Sequence, residues 1–165
     1  MNSPTAIRLL IVDDDRAFRV ATESLLRDEG YAVTSLGSAR EALDRLAGES
    51  FDIILSDLVM EGMNGVEFLQ EVRRRMPEVT VMMVTGFGSI GTAVDAMRLG
   101  AYDYLTKPCN NDELLIKIAR AVEDHRKTIE LRQLRELLAS EANFSNIISR
   151  NEKMQQLFKL IRQVA

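Results

Sequence analysis

Five polar residues of this sequence stand where apolar runs end. Asp57 closes the run Phe51-Asp-Ile-Ile-Leu-Ser-Asp57, and Asp13 and Asp14 close Ile7-Arg-Leu-Leu-Ile-Val12. Thr85 follows Val79-Thr-Val-Met-Met-Val84, and Lys107 lies two residues beyond Tyr102-Asp-Tyr-Leu105. A single aspartate in such a place usually caps or turns the chain, and Asp57 alone would carry no more than that. Gathered together, the three carboxylates would repel: two unit charges ~4 Å apart cost about 4 kcal/mol at an effective dielectric of 20. A fold keeps such a cluster when a cation occupies it or when one acid stays protonated. Oxygen donors without a histidine or cysteine among them suit magnesium rather than zinc. A divalent cation and a fixed lysine offset charge on a transferring phosphoryl group. A carboxylate is a competent nucleophile toward phosphorus, and the Thr85 hydroxyl can bond the product. These residue types point to an aspartate that accepts a phosphoryl group.

The elements that would bring them together are legible as patterns. Ile53-Ile54-Leu55 has the length and β-branching of a strand buried on both faces. Apolar positions Phe18, Ala21, Leu25 and Leu26 give residues 15–29 a helical period, and Gly30 ends it. Tyr31–Ser35 reads as a strand. Ser38 with Glu41 three residues on reads as a capping box for a helix ending near Gly48. A helix over Gly65–Met76 carries Val66, Leu69, Val72 and Met76 on one face and stops at Pro77, and another runs from Ile90 to Leu99. Five strands alternating with helices predict an α/β fold with a parallel sheet covered on both faces. In such a sheet the four polar strand ends lie on one edge, where ligands bind. That convergence is what the capping explanation of Asp57 lacks.

The chain has 165 residues, is 46% hydrophobic and 28% charged, and carries a net charge of −4. This composition is globular. No apolar run approaches a membrane span, and the first residues are not a signal peptide. One cysteine, Cys109, excludes an internal disulfide and suits the cytoplasm. The charge is uneven, −6 over residues 1–109 and +2 over residues 110–165, with no patch of nucleic-acid grade.

Leu-Leu-Ile-Val-Asp13-Asp14, Ser-Asp57-Leu-Val-Met60 with Gly65, Val84-Thr85-Gly86 and Tyr104-Leu-Thr-Lys107-Pro108 together resemble the receiver domain of two-component response regulators, from residue 7 to about 125. The resemblance implies a doubly wound, flavodoxin-like five-stranded sheet of order 2-1-3-4-5, with Asp13, Asp14 and Asp57 at its switch point. Carried over by position, Asp57 is the phosphoacceptor and Asp14 a direct Mg2+ ligand. Asp13 acts mainly through water, and the backbone carbonyl of Val59 completes the ligands. Lys107 pairs with the phosphoryl group, Thr85 and Tyr104 form a switch pair, and Lys107–Pro108 is expected to be cis. Asp15 is expected to be a first-turn acid favouring the helix dipole. Glu61 stands where the family usually has proline, which adds a negative charge near the metal. Side chains two residues after the phosphoacceptor and two after the switch threonine influence the hydrolytic water in this family. Here they are Val59 and Phe87, which implies a long-lived phosphorylated state. The implied partner is a sensor histidine kinase, and the domain is not itself an enzyme.

Beyond the receiver, helical periodicity over residues 112–139 carries Leu115, Ile118, Val122, His125 and Ile129, then Leu131, Leu134 and Leu138. A lone helix cannot bury those leucines, so a homodimer through residues 112–139 is expected, a solvated linker being the alternative. His125 is expected at the seam or the surface. Residues 144–165 resemble the opening of the AAA+ domain of sigma-54-dependent, nitrogen-regulator-type activators. The organisation expected is a receiver over 1–125, a helical coiled-coil linker over 126–143 and the start of an AAA+ domain over 144–165. The sequence shows no Gly-x-x-x-x-Gly-Lys-Ser/Thr loop and no helix-turn-helix, so neither ATPase activity nor direct DNA contact is expected of this stretch. DNA and sigma-54 RNA polymerase are expected partners of a full-length activator. A magnesium phosphatase with an aspartate nucleophile is the rival reading. It usually shows Asp-x-Asp, where this chain has Asp57-Leu-Val59.

Overall fold

A computed structural model describes residues 6–86 and 90–150, with the backbone alone for 90, 92, 93 and 140–150. The elements are β1 (Arg8–Val12), α1 (Arg16–Asp28), β2 (Ala32–Leu36), α2 (Ala39–Leu46), β3 (Ile53–Asp57), α3 (Gly65–Arg75), β4 (Thr80–Thr85), α4 (Ile90–Arg98), β5 (Asp103–Thr106) and α5 (Asn111–Arg150). The chain forms two compact units, Met1–His125 and Arg126–Ala165.

The first unit is built on a five-stranded sheet of order β2-β1-β3-β4-β5, with every pairing parallel. Its strands read as apolar runs because both faces are covered. Leu10 and Val12 of β1, Ile54 of β3 and Met83 of β4 face one side. There they pack with Ala42 and Leu43 of α2 and Phe68, Leu69 and Val72 of α3. Leu9, Ile11, Ile53, Leu55, Met82 and Val84 face the other side, against Leu26 of α1 and Leu114, Ile118, Ala121 and Val122 of α5. Each such side chain, fully buried, stabilises the fold by about 1.5–3 kcal/mol.

This layering sets the functional edge. β1 feeds α1 on one face, whereas the adjacent β3 feeds α3 on the other. The two loops therefore part above the carboxyl ends of neighbouring strands and leave a crevice between them.

Several local expectations need correction. Asp15 is the N-cap of α1, its side chain accepting from the N–H groups of Ala17 and Phe18. Ser38 caps α2 by accepting from the Glu41 N–H. The complete capping box is at Asn64 and Glu67, at the start of α3. α5 runs to Arg150 rather than ending near Ala139. No glycine or proline occurs from Asn111 to Arg150 to stop it. His125 is buried, not at a seam or surface. The spacing Leu114, Ile118, Ala121, Val122, His125 carries it onto the helix face that packs against the sheet. Its Nδ1 lies 3.4 Å from Thr80 Oγ1 and its Nε2 3.4 Å from Asp52 Oδ1.

In the second unit Leu131, Leu134, Leu137 and Leu138 are all exposed, and Arg132 pairs with Glu136 one turn on. Residues 144–150 lie in α5, while the rest of the stretch resembling an AAA+ opening falls outside the described residues, as does Phe87. Among the described residues no helix is long and apolar enough to cross a membrane.

Candidate functional site

Asp13 and Asp14 follow the last residue of β1, and Asp57 is the last residue of β3. Because β1 and β3 are hydrogen-bonded neighbours, the three carboxylates meet. One oxygen from each lies within 4.8 Å of the others. Asp13 and Asp57 are buried and Asp14 is exposed. The loops are held by backbone bonds: Asp13 N–H donates to Leu36 O, Leu58 N–H to Val84 O, and Gly65 N–H to Leu58 O. Gly65 allows the closest approach. A Cβ there would stand 2.1 Å from the Asp57 carbonyl oxygen.

Lys107 arrives from the end of β5. Its backbone N–H donates to Thr85 O at 2.8 Å, and the peptide bond that follows, to Pro108, is cis as expected. The ammonium donates to Asp13 Oδ2 at 2.5 Å and to Asp57 Oδ2 at 2.8 Å, and the side chain is only 15% exposed. The Val59 N–H donates to the second Asp57 oxygen, Oδ1, at 3.0 Å. Burial pushes the Asp13 carboxyl above the usual range, opposed by its bonds to Lys107 and the Asp15 N–H. Burial also works against the Lys107 ammonium, but its bonds to Asp13 and Asp57 outweigh that and hold it above the usual lysine range.

Three carboxylates against one ammonium leave the ionised site two charges negative. A divalent cation would neutralise it. The donor set, all oxygen with Asp14 open to water, fits a hard cation that keeps part of its hydration.

The structure thus gathers Asp13, Asp14, Asp57 and Lys107. Thr85 is buried one residue beyond Val84, the register partner of Asp57. Tyr104 is not part of this cluster: it sits on the edge strand with its side chain 40% exposed, and Lys117 Nζ stands 5.8 Å from the centroid of its ring. Val59 contributes its N–H to the cluster, and its side chain is exposed.

Sequence reasoning missed two neighbours of the site. The Phe18 ring lies against Lys107, whose Nζ is 4.3 Å from the ring centroid. Arg19 donates from Nη1 to the Asp13 carbonyl oxygen. Phe18 was legible only as one apolar position in a helical period, and that period gives no sign of a charged neighbour.

Residues 9–119 match the family described as the response regulator receiver domain. The chain is 33% identical over 157 residues to the C4-dicarboxylate transport transcriptional regulatory protein DctD of Rhizobium meliloti (strain 1021), covering 95% of this chain and 34% of that protein. It is 35% identical over 158 residues to the nitrogen assimilation regulatory protein NtrX of Azorhizobium caulinodans, covering 94% and 34%. It therefore spans about a third of the length of these curated relatives. The solution structure of the beryllofluoride-activated NtrC4 receiver domain dimer superposes with a TM-score of 0.69 at 33% identity, over 72% of this chain and 98% of that one. Match, sheet order and acidic crevice agree, and the chain belongs to the response regulator receiver domain family.

Proposed function

We propose that Asp57 accepts a phosphoryl group from a partner sensor histidine kinase and that this chain is the switching part of a longer transcription activator. The observation that carries the reading is the Lys107 ammonium bridging two buried carboxylates, Asp13 and Asp57, at the switch point of the sheet.

Mg2+ is the implied cofactor, held by Asp13, Asp14, Asp57 and the backbone carbonyl of Val59. When bound, it offsets charge on the phosphoryl oxygens. The remaining chemistry belongs to the chain. An Asp57 carboxylate oxygen forms the bond to phosphorus while the phosphorus–nitrogen bond of the donor phosphohistidine breaks, and the leaving imidazole keeps the electron pair. Lys107 follows the new charge, exchanging its Asp57 bond for a phosphoryl oxygen. The Thr85 hydroxyl moves toward the same group, and Tyr104, now outward, turns into the space vacated. Catalysis here is positioning and charge compensation around an in-line transfer.

Leu131, Leu134, Leu137 and Leu138, exposed among the described residues, support a homodimer through residues 112–139. The name of the NtrC4 structure, an activated receiver dimer, supports coupling dimerisation to phosphorylation. Residues 126–143 act as the helical linker and residues 144–165 open the AAA+ domain of a sigma-54-dependent activator. Contacts with DNA and RNA polymerase belong to the full-length protein. The site of action is the cytoplasm, and the domain is a phosphoacceptor rather than an enzyme.

The test is incubation with acetyl phosphate and Mg2+, followed by intact mass. The expected result is a gain of one phosphoryl group, lost in Asp57→Asn. Full labelling of Asp57→Asn refutes the assignment, and continuous turnover of the donor favours the phosphatase reading.

A further inference from the structure

Among the described residues the Lys107 ammonium makes three contacts, and the function proposed above uses two of them. Asp13 and Asp57 hold the ammonium by hydrogen bonds, and the Phe18 ring forms the third contact, 4.3 Å from Nζ to centroid. The helix turn that carries the ring is held by the site itself. Asp13 Oδ1 accepts from the Asp15 N–H, and Asp15 Oδ1 in turn accepts from the N–H groups of Ala17 and Phe18. The guanidinium of Arg19, the next residue, returns to the Asp13 carbonyl oxygen. The first turn of α1 is therefore laced to the acidic loop, and Phe18 also packs against the core on that face of the sheet.

We propose that Phe18 is a positioning residue for phosphoryl transfer, its ring holding the Lys107 ammonium over the Asp57 carboxylate. The inference rests on the reading of Asp57 as phosphoacceptor. A lysine ammonium is a compact charge on a flexible four-carbon stem, and most of the cost of using it is ordering that stem. The two carboxylates order it in the structure described here. Both are also the groups that a divalent cation draws on, and the Asp57 bond must be given up as the phosphoryl group arrives. The attraction of the ring face for a cation depends on neither event. An aromatic face also has no single acceptor direction, so the ammonium can slide from carboxylate to phosphoryl oxygen without leaving it. The ring thus keeps Lys107 in place when its carboxylate partners are engaged elsewhere.

The experiment uses the full chain with acetyl phosphate and saturating Mg2+, and follows phosphorylation by intact mass. Phe18→Leu keeps apolar bulk and removes the ring. It is expected to slow phosphorylation about three- to tenfold, and Phe18→Tyr, which keeps the ring, is expected to restore the rate. The second arm repeats Phe18→Leu in a Lys107→Ala background, where the ring has no ammonium to hold. A positioning role makes the two effects non-additive, and the ring deletion should then change the residual rate less than twofold. A packing role makes them additive. Phe18→Leu at the parental rate, an unrescued Phe18→Tyr, or additive effects would each overturn the inference. If the parent gains no phosphoryl group, the reading of Asp57 fails first and takes this one with it.

Discussion

Gly65→Ala isolates the contact that shapes the phosphoacceptor loop. A Cβ on Gly65 would lie 2.1 Å from the Asp57 carbonyl oxygen, 2.7 Å from Leu58 Cα and 2.9 Å from the Asp57 carbonyl carbon. All three are backbone atoms, so no side chain can swing aside. Carbon–oxygen contacts settle no closer than about 3.3 Å, so α3 and the end of β3 must separate by about 1.2 Å. That strains or breaks the bond from the Gly65 N–H to Leu58 O, now 2.9 Å. Overpacking of this kind costs about 1–3 kcal/mol and a lost hydrogen bond about 1 kcal/mol. Alanine returns up to about 1 kcal/mol of helix propensity. The net expectation is a loss of about 1–4 kcal/mol, read as the urea midpoint multiplied by its slope. The same displacement moves Asp57, and a misplacement near 1 Å can slow a positioned reaction about a hundredfold. Phosphorylation by acetyl phosphate should therefore fall far more than stability alone explains. Gly62→Ala, in the same loop, is the control. Gly62 has φ +82° but open space around its Cβ position, so its cost is backbone strain alone, about 1–2 kcal/mol. A Gly65→Ala protein within about 1 kcal/mol of the parent, phosphorylating at the parental rate, would refute the contact argument.

Three further outcomes follow from the same structure. The bond from His125 to Asp52, with the Arg8 N–H assisting, holds the Asp52 carboxyl below its ordinary range against the effect of burial. Its stabilisation is therefore present above the unfolded value, about pH 4, and is lost as pH falls through the depressed folded value. Asp52 is 35% exposed, so solvent screening keeps the effect under about 1 kcal/mol. Urea unfolding of the parent and Asp52→Asn should differ at pH 6, with the gap narrowing as pH falls below about 4, and a gap that stays constant sinks the pairing. Leu134→Asp with Leu138→Asp places charge in the proposed dimer seam and should leave a monomer by mass-resolved sizing; an unchanged oligomer assigns the contact to another surface. The side chains of Val59 and Phe87 offer no donor or acceptor to orient a hydrolytic water, so Val59→Asn with Phe87→Glu should hasten decay of the phosphorylated protein once the donor is removed, and an unaltered lifetime shows that these positions do not set it.

The sequence by itself determined the alternation of five strands and five helices, because strands covered on both faces must be apolar along their whole length. It also determined where acids and a lysine end those strands, because a chain leaving a buried strand meets water there and can afford polar groups. Helix ends were readable only to within a residue or so, and α5 was undershot by eleven positions. What covers each strand, and which strand lies beside which, is a long-range matter. Nothing local places β1 between β2 and β3, and the strand order came from a family resemblance before the pairings displayed it. The two loop glycines look alike in the chain, yet one is required because a Cβ there would stand 2.1 Å from backbone and the other by its φ. Phe18 and His125 each occupied an unremarkable place in a helical period. Periodicity records that a side chain faces inward, or along a seam. Only the packing of α1 and α5 onto the sheet decided that one meets the Lys107 ammonium and the other Asp52, because those contacts join segments far apart in the chain.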